Sequence, residues 1–227
     1  MKIGIVTAHH HSETFSQNGN YYTDRLVESL KYINYDYTFY LLDNQSTPPY
    51  DVSKLNSNTK YTYIKDQSIR GITGAWNDGL LNAINDGCDI VFQVNYDVEL
   101  NEDINTYIKL INENKFKDNA VFGPVTNGQT CDGPQRLFEK SNKILISTQS
   151  TPLNGFMFGF TKEVYHKYKH PNGMFFEENP TTIWAGQEEA DFVRIKKLGC
   201  VFIILTQCWF HHDKLRGWKK AKRYLSK

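Results

Sequence analysis

Three apolar runs in this 227-residue chain end in polar residues equipped for chemistry: Thr7-Ala8-His9, Asp43-Asn44 and Asn95-Tyr96-Asp97. One such ending reads as a turn, since Asn and Asp start turns readily. Three of them suit a ligand, because ligands of open parallel α/β sheets gather at the carboxyl ends of the strands. Gly-rich phosphate loops are excluded: GxGxxG is absent after the first run, and GxxxxGK[ST] is absent throughout. A phosphate must then be neutralised by other means. A divalent cation on hard oxygen ligands would do so, with Asp97 supplying a carboxylate and Asn95 a carbonyl oxygen. Such a cation acts as a Lewis acid on a leaving diphosphate.

The elements that must position these residues alternate. Strands are predicted over 2–7, 37–42, 61–64 and 89–94. Helical spacing of apolar residues predicts helices over 22–33, 72–84 (closed by Asp86-Gly87) and 103–113. Pro48-Pro49 breaks the chain after the second strand. This β-α-β-α-β order implies an α/β fold with a mostly parallel sheet and helices on both faces. Beyond it, strands are predicted near 120–123, 144–148, 155–160 and 201–209. Helices follow over 161–168 with Thr161 as N-cap, over 187–198 ended by Gly199, and over the basic segment 214–227. No repeat or linker interrupts the chain, which implies one domain.

Composition narrows the class. A formal charge of +1 gives no bulk attraction to nucleic acid or membranes, and 40% apolar with 14% aromatic residues indicates a folded core. Cys88, Cys131, Cys200 and Cys208 are scattered without CxxC, as buried free thiols are. No apolar stretch approaches the roughly 18 residues of a membrane span. The N-terminal MKIGIVTA reads as a core strand rather than a leader, so a cytoplasmic location is expected.

Six segments together resemble the family 2 glycosyltransferases of the GT-A fold. They are LLDNQST (41–47), GITGAWNDGLLNAINDG (71–87), VNYDVEL (94–100), LNGFMFGFTKEVY (153–165), AGQEEADFVRIKKLG (185–199) and CWFHH (208–212). VNYDVEL is close to the LNPDVEL form of the family's Asp-x-Asp motif in rhamnosyltransferase-like members. The resemblance implies a nucleotide-sugar-binding half (1–100) and a smaller, irregular acceptor-side half (101–227). It implies that Asp43 accepts a hydrogen bond from a uracil or thymine base, and that Thr7, Ala8 and His9 line the base and ribose. It also implies nucleotide contacts or helix positioning by Arg70 and Asn77, with Asn95 and Tyr96 beside the donor. Asp97 would bind Mn²⁺ or Mg²⁺, with His211 or His212 as a further ligand.

An inverting transfer of this kind needs a carboxylate within reach of the acceptor hydroxyl. Registering Gly186, Arg194 and Gly199 with the family pattern puts Glu188 in that role, and a one-residue shift puts Glu189 there. Here Asn95 stands for the family's first Asp, and Glu for its catalytic Asp. Asn154-Gly155 matches a family position facing the acceptor. Loops 125–136 and 171–184 are the acceptor-side elements, with Phe175, Phe176 and Trp184 as stacking platforms or as core. The basic C-terminal segment is a solvated face or a contact for anionic lipid. The expected partners are a nucleotide-sugar donor and a glycan acceptor. Two other readings stay open. One is a non-catalytic glycan-binding or scaffold protein of this fold. The other is a sugar nucleotidyltransferase, although TAHHHSETF (7–15) lacks that class's Gly-rich loop.

Overall fold

A computed structural model of the chain describes residues 1–12, 19–65, 70–126, 135–136, 140–178 and 187–213. Trp184, Cys131, Gly186 and the basic segment 214–227 lie outside the described residues, as do parts of both acceptor-side loops.

The β-branched and aromatic runs form the strands β1 (Lys2–His9), β2 (Asp36–Asn44), β3 (Thr59–Ile64) and β4 (Ile90–Val94). These pair in parallel in the order β3-β2-β1-β4. The connections between them carry α1 (Gly19–Ser29) and α2 (Gly71–Asn85). Beyond β4, strand β8 (Met157–Thr161) pairs antiparallel with β4 and with β6 (Ala120–Thr126). β6 in turn runs parallel to the long β9 (Val201–His212). β9 also carries two short antiparallel partners, β5 (Val98–Glu99) and β7 (Ile144–Ile146). The expected α/β architecture holds, with the parallel part confined to one half of the sheet and to the β6–β9 pair.

Helices cover both faces, and the two-residue period of the strands sorts side chains between them. Ile3, Ile5, Phe39, Leu41, Phe92 and Val94 pack against α1 and α3 (Asp103–Glu113). Val6, Ala8, Tyr40, Leu42 and Val91 face α2. α2 lies close on β1 because Gly79 has no side chain: a Cβ there would overlap Val6 Cγ1. Gly87, at φ +78°, reverses the chain after α2 in the left-handed conformation that glycine tolerates best.

Three local expectations are corrected. The first helix begins at Gly19 and tightens into a 3₁₀ turn after Ser29, earlier than its apolar spacing suggested. Thr161 precedes α4 (Lys162–Tyr168) but makes no side-chain cap; its hydroxyl donates to the Lys117 carbonyl. Phe175 and Phe176 are not surface platforms. Both are fully buried, in a ring cluster with Phe158, Phe160 and Phe192, the last from α5 (Gln187–Lys197). Burying such large apolar rings removes more surface from water than any exposed arrangement can. Cys88, Cys200 and Cys208 are buried free thiols, and burial pushes the last two up to about 12.

Candidate active site

The parallel register aligns the polar strand ends, with His9 level with Asp43. Their pleat turns Thr7, His9 and Asp43 toward the α1 face. All three are buried and bonded within the protein. The Thr7 hydroxyl donates to the Val94 carbonyl (2.8 Å), tying β1 to the end of β4. His9 Nδ1 meets Thr23 Oγ1 at 2.7 Å, and its ring sits edge-on to Tyr50 and Tyr96. Burial pulls His9 down to about 4, against the raising influence of Asp43, and burial also lowers His10. The Asp43 carboxylate accepts from Ser46 N (3.1 Å), Tyr50 N (2.7 Å) and Tyr61 Oη (2.8 Å). A buried carboxylate needs such donors, and these bind segment 46–50 to the end of β2. Ala8 is buried on the opposite face.

Asn44 belongs to the polar end of β2 that the sequence marks out, but the sequence assigned it no role of its own. It falls on the α2 face, and its Oδ1 is buried with no hydrogen-bond partner among the described residues. Its own carbonyl is taken by His10 Nδ1 at 2.8 Å. Burying an amide oxygen without a partner costs free energy, so this oxygen is available to accept a hydrogen bond. The sequence signal was its place next to Asp43, on the other side of the pleat.

At the end of β4 the chain turns over 95–98, closed by Val98 N donating to the Asn95 carbonyl (3.1 Å). The turn brings Asp97 Oδ1 within 3.3 Å of His212 Nε2, and both side chains are nearly buried. The β5–β9 ladder sets this pairing, with Val98 opposite His212 and Glu99 opposite His211. His211 points away, its Nε2 3.0 Å from Asp213 Oδ1. Tyr96 is pushed above the usual phenol range by burial and by the neighbouring Asp97 charge. Arg25 of α1 bonds both Glu99 and Asp213, fastening that helix across the ladder.

A carboxylate and an imidazole suit Mn²⁺ or, less well, Mg²⁺. Among the described residues no set of three His, Cys, Asp or Glu side chains converges. An ion held by Asp97 and His212 would therefore complete its shell with water and ligand oxygens, as Mg²⁺ and Mn²⁺ do beside phosphates. The residues fit that kind of open site.

Of the two glutamates at the start of α5, Glu188 turns inward (9% exposed) and Glu189 outward. Glu188 packs on Gly155, where a Cβ would overlap its carboxyl group. The next residue, Phe156, stacks on the His212 ring (5.1 Å, 18°) and accepts from Asn95 N at 2.8 Å. Gly155 and Phe156 therefore join the inward carboxylate to the Asp97–His212 pair. Asn154 N donates to Gln135 Oε1 (2.6 Å), setting the approach to this dipeptide.

Arg70 and Asn77 both bond to the segment 175–178. Arg70 forks onto Glu178 (2.8 Å twice) and onto Asp78 (2.7 and 2.8 Å). Glu178 first and Asp78 second hold its guanidinium above the usual range, and Arg70 draws Glu178 down in turn. Asn77, fully buried, accepts from Phe175 N and Phe176 N and donates to the Phe176 carbonyl. Asp191, one turn after Glu188, receives Glu177 N at 2.7 Å, together with His170 and Arg194. Segment 175–178 thus couples α2 to α5.

No family model matches the sequence, and no curated protein matches it either. Solved structures do. The crystal structure of S. aureus TarS 1–349 superposes with a TM-score of 0.64 at 14% identity over 100% of this chain. TarS 1–349 in complex with UDP-GlcNAc gives 0.65 at 17% identity over 94%. Full TarS gives 0.63 at 16% identity. This chain spans 64% of the first of these structures and 39% of full TarS. It has the fold of these proteins, the GT-A arrangement that the six segments implied.

Proposed function

We propose that the chain is a glycosyltransferase. It would move a hexosyl or deoxyhexosyl unit from a UDP- or dTDP-linked donor to a glycan hydroxyl, with inversion and metal assistance. The observation that carries this reading is the Gly155-Phe156 dipeptide. It touches an inward carboxylate on one side and a carboxylate–imidazole pair on the other, at the carboxyl end of a parallel sheet. Acceptor activation and leaving-group stabilisation need that adjacency. The likeness to TarS solved with UDP-GlcNAc supports a nucleotide-sugar donor.

In this reading Asp97 and His212 hold Mn²⁺ or Mg²⁺, which supplies Lewis acidity to the departing diphosphate when bound. Asn44 offers its amide to the imide edge of the base, since its oxygen matches an N–H and its nitrogen a carbonyl. Asp43 and His9 hold the strand ends that frame it. Glu188 takes the proton of the acceptor hydroxyl as that oxygen attacks, and Asn154-Gly155 borders the acceptor. Residues 214–227 carry the charge for peripheral contact with anionic lipid.

Donor hydrolysis tests the reading, with UDP- and dTDP-sugars assayed with Mn²⁺, Mg²⁺ or EDTA. Metal-dependent release of the nucleoside diphosphate is expected. Neither release nor saturable nucleotide binding in any combination would overturn it.

A further inference from the structure

Gln93 is the one polar residue inside the otherwise apolar β4, and it is fully buried. Its side-chain amide meets three groups. One end lies 3.1 Å from Trp76 Nε1 of α2 and 3.1 Å from the Asn95 side-chain amide, and the other lies 3.0 Å from the Gly155 carbonyl. Two of these neighbours allow no choice: an indole N–H only donates, and a backbone carbonyl only accepts. The Gln93 oxygen therefore faces Trp76, and its nitrogen donates to Gly155. The same oxygen then requires a donor from Asn95, so Asn95 turns its NH₂ to Gln93. The Asn95 side-chain oxygen is then at the other end of its amide, turned away from Gln93.

We propose that Gln93 is a positioning residue. It locks the Asn95 amide with its oxygen turned outward beside Asp97, and grips the Gly155 carbonyl beneath Glu188. This rests on the glycosyltransferase reading and deepens it. Asn95 takes the place of a carboxylate in the sequence motif, and an amide serves a hard cation or a donor hydroxyl as acceptor only through its oxygen. A freely rotating amide would present its NH₂ part of the time. Trp76, through Gln93, removes that freedom. The same side chain links the donor end of β4 to the backbone under the inward carboxylate, so one residue sets both halves of the site.

Amide exchange in the ligand-free protein reads the lock directly by NMR. The Asn95 side-chain NH₂ should exchange slowly in the wild type and quickly in Gln93→Met, with the Trp76 indole resonance shifted. Exchange at the free-amide rate in the wild type overturns the lock. A double-mutant cycle on Mn²⁺·UDP binding reads its use. Gln93→Met and Asn95→Ala should each weaken binding by about 10-fold, as outer partners of metal ligands do. The double variant should be no weaker than Asn95→Ala, whereas additive losses overturn the coupling. Should Gln93→Met fail to fold, Trp76→Phe frees the same amide and should speed Asn95 exchange; unchanged exchange there overturns the role of Trp76. A wild-type chain that binds no Mn²⁺·UDP sinks the donor reading, and with it the use assigned to the Asn95 oxygen, whatever the exchange rates show.

Discussion

Glu188 and Glu189 are neighbours in sequence and opposites in space, because successive residues at the start of a helix point about 100° apart. Only Glu188 lies against Gly155. Glu188→Gln should lower transfer by about 10²–10⁴-fold, the usual worth of a general base, with donor affinity retained. Glu189→Gln should stay near wild type, and steady-state kinetics with nucleotide titration check both. The same comparison applies at the metal pair. His212→Ala should weaken Mn²⁺ binding, followed by electron paramagnetic resonance, while His211→Ala should leave it nearly unchanged, since His211 faces Asp213. At the end of β2 the roles divide again. Asn44→Ala should raise the nucleotide dissociation constant with little change in melting temperature. Asp43→Asn should act mainly on stability, because its carboxylate serves three internal donors. Equal loss of nucleotide affinity in both variants would contradict that division.

At the scale of elements, the site depends on how α2 and α5 are joined. Asn77 of α2 satisfies three backbone groups of Phe175 and Phe176, and Asp191 of α5 satisfies the next backbone N–H. Asn77→Ala would leave those buried groups unpaired, at a cost of about 2–4 kcal/mol. Urea unfolding measures this directly, and a loss below about 0.5 kcal/mol, typical of a surface site, would show that the segment is held by its rings alone. Periodicity located α2 and α5 well, because each repeats its apolar face over several turns. It said nothing of the clamp, because the groups that Asn77 bonds lie almost a hundred residues further along the chain. Arg70 and Asn77 were legible as noteworthy polar residues, but the bonds they make here brace the helix–helix link.

For the whole molecule, the buried histidine at the end of β1 sets a pH response. His9 is lowered from 6.5 to about 4 on folding, mainly by burial. Below 6.5 the unfolded chain therefore binds a proton that the folded chain refuses, so stability falls as pH drops from about 6.5 to 4 and levels below that. The full loss is about 3 kcal/mol from this group, and the lowered His10 acts in the same direction. Urea titrations between pH 7.5 and 4.5 should show a shallower decline in His9→Gln than in wild type; parallel declines would remove His9 as the cause. Sequence alone determined the alternation of strands and helices and the polar strand ends, and it offered Asp97 and the Glu188–Glu189 pair as candidates. Those features are local, written in two- and 3.6-residue periods and in short motifs. The tertiary structure decided that His212 rather than His211 faces Asp97, that Glu188 rather than Glu189 turns inward, how Asp43 is bonded, and that Phe175 and Phe176 are buried. The first two rest on the paired register of β5 with β9 and on the packing of α5 over Gly155, and the last two on hydrogen bonds and ring packing with other segments, none of which a local residue pattern encodes.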